Sequence, residues 1–144
     1  MTVKSRLLEL LEQHKGEILS GEDIGKELSC TRAAVWKAVN SLRQEGYHIE
    51  AGPNKGYMLT RESNLISAEG IRLFLKKPQA EIRIFDEISS TNLEARRMAV
   101  SGQAGHGSFV VAMEQTAGRG RRGRAFYSPK GSGIYLSVLL EPHE

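Results

Sequence analysis

Ser20-Gly21-Glu22-Asp23-Ile24-Gly25-Lys26-Glu27-Leu28-Ser29-Cys30-Thr31-Arg32-Ala33-Ala34-Val35-Trp36-Lys37-Ala38-Val39-Asn40-Ser41-Leu42 reads as two helices separated by almost nothing. Ser20 is a serine N-cap with the acid Asp23 three residues on, and Ile24 and Leu28 repeat at i, i+4. Ser29 and Cys30 make the turn, and Thr31 caps a longer helix in which Val35, Val39 and Leu42 fall on one side until Gly46 ends it. Upstream, Val3, Leu7, Leu8, Leu10 and Leu11 give a further helical face, stopped by Gly16. Three helices with a tight turn between the second and third predict a helix-turn-helix. Downstream, Tyr47 to Ala51 and Tyr57 to Thr60 predict two strands around the turn Gly52-Pro53-Asn54-Lys55-Gly56, which makes the module winged. Arg32, Ala33, Trp36, Lys37, Asn40 and Arg43 lie outside the core stripe of the third helix. Arg and Asn pair bidentately with guanine and adenine edges and a small Ala33 permits close approach, so Arg32, Ala33, Lys37, Asn40 and Arg43 are the candidate DNA contacts. Trp36 receives no readout role, because the wing offers it an alternative place to pack.

The polar run Arg61-Glu62-Ser63-Asn64 separates two apolar patterns, and the domain boundary is set there, giving residues 1–62 and 63–144. Ser67 caps a short helix with Ile71, Phe74 and Leu75 that Lys76-Lys77-Pro78 stops. Ile82, Ile84 and Phe85 suggest a strand. Ser89-Ser90-Thr91-Asn92 then leads into a helix over Leu93 to Val100, where the hydroxyls either cap the helix or meet a ligand's polar end. Ser108 to Glu114 and Ile134 to Leu140 read as strands, the first buried on both faces. Between them runs Gly118-Arg119-Gly120-Arg121-Arg122-Gly123-Arg124, a loop whose glycines allow backbone N–H groups to approach an anion. Neighbouring guanidiniums about 7 Å apart repel by roughly 0.6 kcal/mol in water, and no acid lies between Gln115 and Leu140 to relieve this.

Charge follows the same division. Residues 1–60 carry eight basic and eight acidic side chains, whereas residues 61–144 carry twelve and nine, the whole net excess of +3. Without the four loop arginines the chain would be net −1, so the basic balance belongs mainly to one loop and does not by itself announce nucleic-acid binding. A single cysteine, Cys30, excludes an intramolecular disulfide and suits a reducing compartment. Glu9 and Glu12 interrupt the first apolar run, so neither a signal peptide nor a membrane span is expected, and the chain reads as a soluble cytoplasmic protein.

Taken together these residues resemble the bifunctional bacterial biotin protein ligases, the biotin operon repressors. The marks are Thr31-Arg32-Ala33-Ala34-Val35-Trp36-Lys37, Lys55-Gly56-Tyr57, Ser90-Thr91-Asn92, and above all Gln115-Thr116-Ala117-Gly118-Arg119-Gly120-Arg121-Arg122-Gly123-Arg124. The resemblance implies an α+β chain: a winged helix-turn-helix followed by the N-terminal part of a mixed α/β biotin/lipoate ligase-like domain. It implies that biotin and ATP, with Mg2+ accompanying ATP, give biotinyl-AMP, and that a lysine of a biotin carboxyl carrier protein domain then takes the biotin. Ser90, Thr91, Asn92, Gln115, Arg119, Gly120 and Arg121 would line the biotin site. Arg119, Arg121, Arg122, Arg124 and Phe126 would meet the adenylate, with Phe126 standing where the family has Trp. Arg119 and Arg121 are the candidate catalytic residues, and no protein metal site is expected. Operator DNA is the implied partner, with a homodimer forming on adenylate binding in the full-length protein and no membrane involvement. The family's ligase domain runs beyond Glu144, through a Lys-Trp-Pro-Asn-Asp type segment, a later lysine and a small C-terminal domain, so these 144 residues are expected to lack full ligase activity. The strand Ile134 to Leu140 is expected to keep an unpaired edge. A winged-helix regulator sensing another small acid without ligase activity is the alternative, followed by an RNA-binding protein using the arginine loop and, last, a lipoate ligase.

Overall fold

The computed structural model describes residues 1–52, 56–77 and 80–142. Pro53-Asn54-Lys55 of the wing turn, Pro78 and Glu144 therefore lie outside the described residues. The chain divides into two compact units, Met1–Leu75 and Lys76–Glu144.

In the first unit the helices are α1 (Val3–Gln13), α2 (Gly21–Glu27) and α3 (Arg32–Gln44). Their starts follow the capping chemistry. Ser20 Oγ accepts from Asp23 N at 3.0 Å and donates to the Asp23 carboxylate at 2.6 Å, and Thr31 Oγ1 accepts from Ala34 N at 3.2 Å. The turn between α2 and α3 is tight enough that a Cβ on Gly25 would lie 3.0 Å from the Cys30 carbonyl oxygen. Leu7, Leu11, Ile24, Val35, Val39, Leu42 and Leu59 close the core, each almost wholly buried.

The wing consists of β1 (Ile49–Gly52) antiparallel to β2 (Gly56–Leu59). Both strands are offset from the sequence expectation, the first by two residues at its start, because Tyr47 is taken up by closing α3 through its N–H on the Leu42 carbonyl, 3.1 Å. Leu19 joins the wing from the other side, exchanging 2.9 and 2.8 Å backbone hydrogen bonds with Tyr57.

The boundary expected at 62/63 differs from the division of contacts, which falls after Leu75. Lys15 reaches the Ser63 carbonyl at 2.5 Å, Ser63 Oγ accepts from His48 N at 3.4 Å, and α4 (Ala68–Arg72) packs on α1 with Ser67 Oγ 3.5 Å from Glu12 Oε1. These contacts join the polar run and the short helix to the first unit. Phe74, expected on the apolar face of that helix, lies beyond its end and is 89% exposed.

In the second unit β3 (Ile82–Phe85) pairs parallel with β4 (Phe109–Ala112), and β4 pairs antiparallel with β5 (Tyr135–Val138), in the order β3-β4-β5. The crossover carries α5 (Thr91–Val100), whose Ala95 and Met98 pack on Val110. Val110, Val111 and Ala112 are buried, as expected for the central strand. β5 is shorter than its apolar run and forms an edge of this sheet, with Ile134, Leu136, Val138 and Leu140 exposed.

Candidate functional site

The arginine stretch is an ordered hairpin rather than an open loop. Its arms are tied by Gln115 N to Ser128 O at 3.0 Å, Phe126 N to Gly118 O at 2.8 Å, and Gly120 N to Arg124 O at 2.7 Å. Thr116 and Ala117 anchor it to the residues after β3 by donating to the Ile88 and Ser89 carbonyls. The tip is a single 3-10 turn over Arg121–Gly123 in which Arg122 and Gly123 take left-handed φ values of 59° and 73°. The glycine amides were expected to approach an anion, but the Gly120 N–H is already committed to Arg124 O. The arginine side chains, not that amide, are left to meet an anion. Arg119, Arg121, Arg122 and Arg124 are exposed, and none is ion-paired among the described residues.

At the base of the hairpin the chain folds onto the start of α5. Ser90 caps that helix, its Oγ 3.5 Å from Leu93 N, and Ser90 and Thr91 are buried. Gln115 Oε1 accepts from Thr91 N at 2.8 Å and from Thr91 Oγ1 at 3.1 Å, while Gln115 Nε2 donates to Ser128 Oγ at 3.1 Å. This amide can be oriented only one way. A backbone N–H can only donate, so the oxygen must face Thr91 and the nitrogen Ser128. Ser128 Oγ then gives its own proton to the Phe126 carbonyl at 3.2 Å, and the second Gln115 N–H has no partner among the described residues.

Ser137 of β5 completes the cluster, its Oγ 2.8 Å from Thr91 Oγ1 and 2.5 Å from the Asn92 amide. Ser137 has only one proton for its two neighbours, and the shorter contact, 2.5 Å, is the one in which its hydroxyl donates to Asn92 Oδ1.

The structure thus brings Ser90, Thr91, Asn92 and Gln115 into one polar cluster at the foot of the hairpin that carries Arg119 to Arg124. Phe126 sits on the return arm, 56% exposed. Ser128 and Ser137 join the cluster without any sequence signal. Both are buried polar residues, and nothing in their local sequence marks them, since their partners lie 13 and 46 residues away. Beside the cluster, Glu94 is nearly buried between Arg97, at 2.9 and 2.7 Å, and Arg83, at 3.1 Å. The Arg97 hydrogen bond, opposed by desolvation and aided by Arg83, holds its carboxyl below the ordinary glutamate range.

In the first unit Arg32, Ala33 and Lys37 are exposed on α3, and Asn40 is half-buried. Arg43 plays a structural part, because its Nε and Nη2 donate to the Ile49 carbonyl at 2.8 and 2.7 Å and so tie the end of α3 to the wing. Trp36 is 61% exposed. No helix among the described residues is long and apolar enough to cross a membrane.

Comparison with known proteins follows this division. Residues 3–58 match the family described as HTH domain, and residues 84–144 match the Biotin/lipoate A/B protein ligase family. The chain is 42% identical over 143 residues to the bifunctional ligase/repressor BirA of Bacillus spizizenii, an alignment covering 98% of this chain and 44% of that protein. It is 41% identical to BirA of Bacillus subtilis, with the same coverages of 98% and 44%. Against BirA of Escherichia coli the identity is 35%, over 96% of this chain and 41% of that protein. The chain therefore spans less than half the length of these curated relatives. The two matched segments stand in this order, and the likeness to these bifunctional ligase/repressors runs along nearly all of this chain's residues.

Proposed function

We propose that the protein activates biotin with ATP, transfers it to a lysine of a biotin carboxyl carrier protein domain, and represses transcription by binding operator DNA. The observation that carries the ligase half is the arginine hairpin, none of whose own guanidiniums is ion-paired among the described residues, rooted in a cluster of buried hydroxyls and more open amides in which one Gln115 N–H has no partner among the described residues. A carboxylate oxygen of biotin attacks the α-phosphorus of ATP, the bond to pyrophosphate breaks, and biotinyl-AMP forms. The carrier lysine then attacks the biotinyl carbonyl carbon, AMP leaves, and the amine loses its proton to give an amide. Both steps bring anions together and spread negative charge, which fixed cations stabilise without a nucleophilic side chain.

In this reading Ser90, Thr91, Asn92, Gln115, Arg119, Gly120 and Arg121 bind biotin, and Arg119, Arg121, Arg122, Arg124 and Phe126 meet the adenylate. Arginine suits this role because its planar fork takes carboxylate or phosphate oxygens in pairs. Among the described residues no three His, Cys, Asp or Glu side chains group to hold an ion. Magnesium would accompany the ATP on its phosphates. Arg32, Ala33, Lys37, Asn40 and Arg43 would face the operator, with Arg43 also tying the end of α3 to the wing. The adenylate would promote a homodimer that reads a two-fold site with one winged helix per half.

Biotin-dependent exchange of pyrophosphate into ATP tests the first step. In a full-length ligase carrying this chain we expect exchange, and a loss of about 10²-fold in Arg119→Ala, the size of effect found when one transition-state donor is removed. Exchange unaffected by Arg119→Ala and Arg121→Ala would remove the hairpin from the chemistry. Retardation of operator DNA that ignores biotin and ATP would remove the corepressor role.

A further inference from the structure

We propose that Trp36 reads operator DNA, packing its indole on the 5-methyl group of a thymine in the major groove. This rests on the DNA-binding half of the function proposed above and names a specificity residue within it. In the sequence the residue has two possible places, against the wing or outward; at 61% exposed it is outward. Its position on α3 is central. Trp36 is four residues from Arg32 and four from Asn40, so the three form one row along the helix surface, with Ala33 and Lys37 as the adjoining row. Whatever the middle of this face meets, Trp36 meets first.

The chemistry of the face selects the occupant. α3 holds Arg32, Lys37 and Arg43 and no acidic residue, so its field favours a polyanion over a protein surface of mixed charge. Exposed tryptophan is costly in water, and its burial at an interface recovers a large apolar area. Within the major groove one base substituent is apolar, the thymine methyl. A flat apolar side chain flanked by an arginine and an asparagine, which serve guanine and adenine, supplies the contact that the polar pair cannot make. The Trp36 N–H is a donor only and can reach an acceptor on the same strand.

Trp36 is the single tryptophan of these 144 residues, so in this chain tryptophan fluorescence reports on α3 alone. A duplex would be enriched from a randomised pool by the protein with biotin and ATP present, then titrated into the wild type. Binding should shift Trp36 emission and cut its quenching by acrylamide at least twofold. Replacing thymines of that duplex by uracil, one at a time, should weaken wild-type binding about fourfold at one position per half-site, the worth of one buried methyl. Trp36→Ala should bind thymine and uracil duplexes equally, and Trp36→Phe should keep part of the difference. Circular dichroism of each variant checks that α3 still folds. Binding of DNA with unchanged Trp36 quenching, or a thymine preference that survives in Trp36→Ala, overturns the proposal and leaves the DNA-binding reading intact. Protection of Trp36 by protein concentration alone overturns it in favour of a protein contact. Failure of the wild type to enrich any duplex overturns the DNA-binding reading itself.

Discussion

Gly118 is where the hairpin can least tolerate a side chain. A Cβ there would lie 2.6 Å from both the Phe126 carbonyl oxygen and Ser128 Oγ, and 3.2 Å from Gln115 Nε2. Two of these atoms belong to the oriented hydrogen-bond chain and one is backbone, so the strain has no flexible outlet. We expect Gly118→Ala to weaken biotin binding at least tenfold in calorimetry while leaving DNA binding by the first unit in place. Equal loss of both would mean that the substitution unfolds more than the hairpin. The residue scale also marks what sequence reading reaches. Ser20, Thr31, Ser67 and Ser90 are identifiable as caps because each bonds an N–H three residues away. Ser128 and Ser137 are not, because the sheet pairing that brings them to Gln115 and Thr91 leaves no periodic trace. Arg43 reads as a DNA contact on a helical wheel, which does not show that its guanidinium also meets the Ile49 carbonyl of the next strand.

Elements depend on their neighbours in the same way, and the wing shows it most clearly. Gly56 has φ of +90°, and a Cβ there would lie 2.0 Å from the Leu19 carbonyl oxygen. Gly56→Ala must therefore adopt a left-handed conformation and also push away the strand partner that Leu19 provides. We expect it to destabilise the first unit by about 2 kcal/mol or more, measured by urea unfolding, and to abolish DNA binding by displacing β2. The join of α5 to β3 carries a pH dependence. The Glu94 carboxyl has a lowered pKa, so the folded form binds its proton less readily than the unfolded chain. Its stabilisation is complete above the unfolded glutamate value and disappears as pH falls through the lower folded one. The second unit should lose stability on the acid side of the ordinary glutamate range, and Glu94→Gln should flatten that slope in unfolding curves taken across it. Arg97 is largely exposed, so solvent screens part of the effect. Element types along the chain are legible from caps and apolar period. The hairpin is not, since glycine and arginine have no strand signature and its ladder comes from Ser128 and Phe126 on the return arm.

Across the whole molecule the division after Leu75 has a practical meaning. The polar run at residues 61–64 reads as a linker because its side chains are hydrophilic, yet Ser63 is buried and serves Lys15 and His48. A fragment of residues 1–75 should melt at least about 5 °C above one of residues 1–62, the shift that roughly 1 kcal/mol produces in a domain of this size. Identical melting of the two fragments would show that α4 adds nothing to the first unit. The four arginines concern the molecule at its largest range. Held out on a hydrogen-bonded hairpin, with no carboxylate among the described residues ion-paired to them, they project a positive field beyond contact distance, while the rest of the chain is net −1. An anionic ligand of the kind proposed would then be drawn in before it touches anything. Its capture becomes an encounter guided by charge, fast in dilute buffer and slower as added salt contracts the ionic atmosphere toward about 8 Å at physiological strength. Stopped-flow association of ATP should slow several-fold between low and physiological salt, with dissociation much less affected.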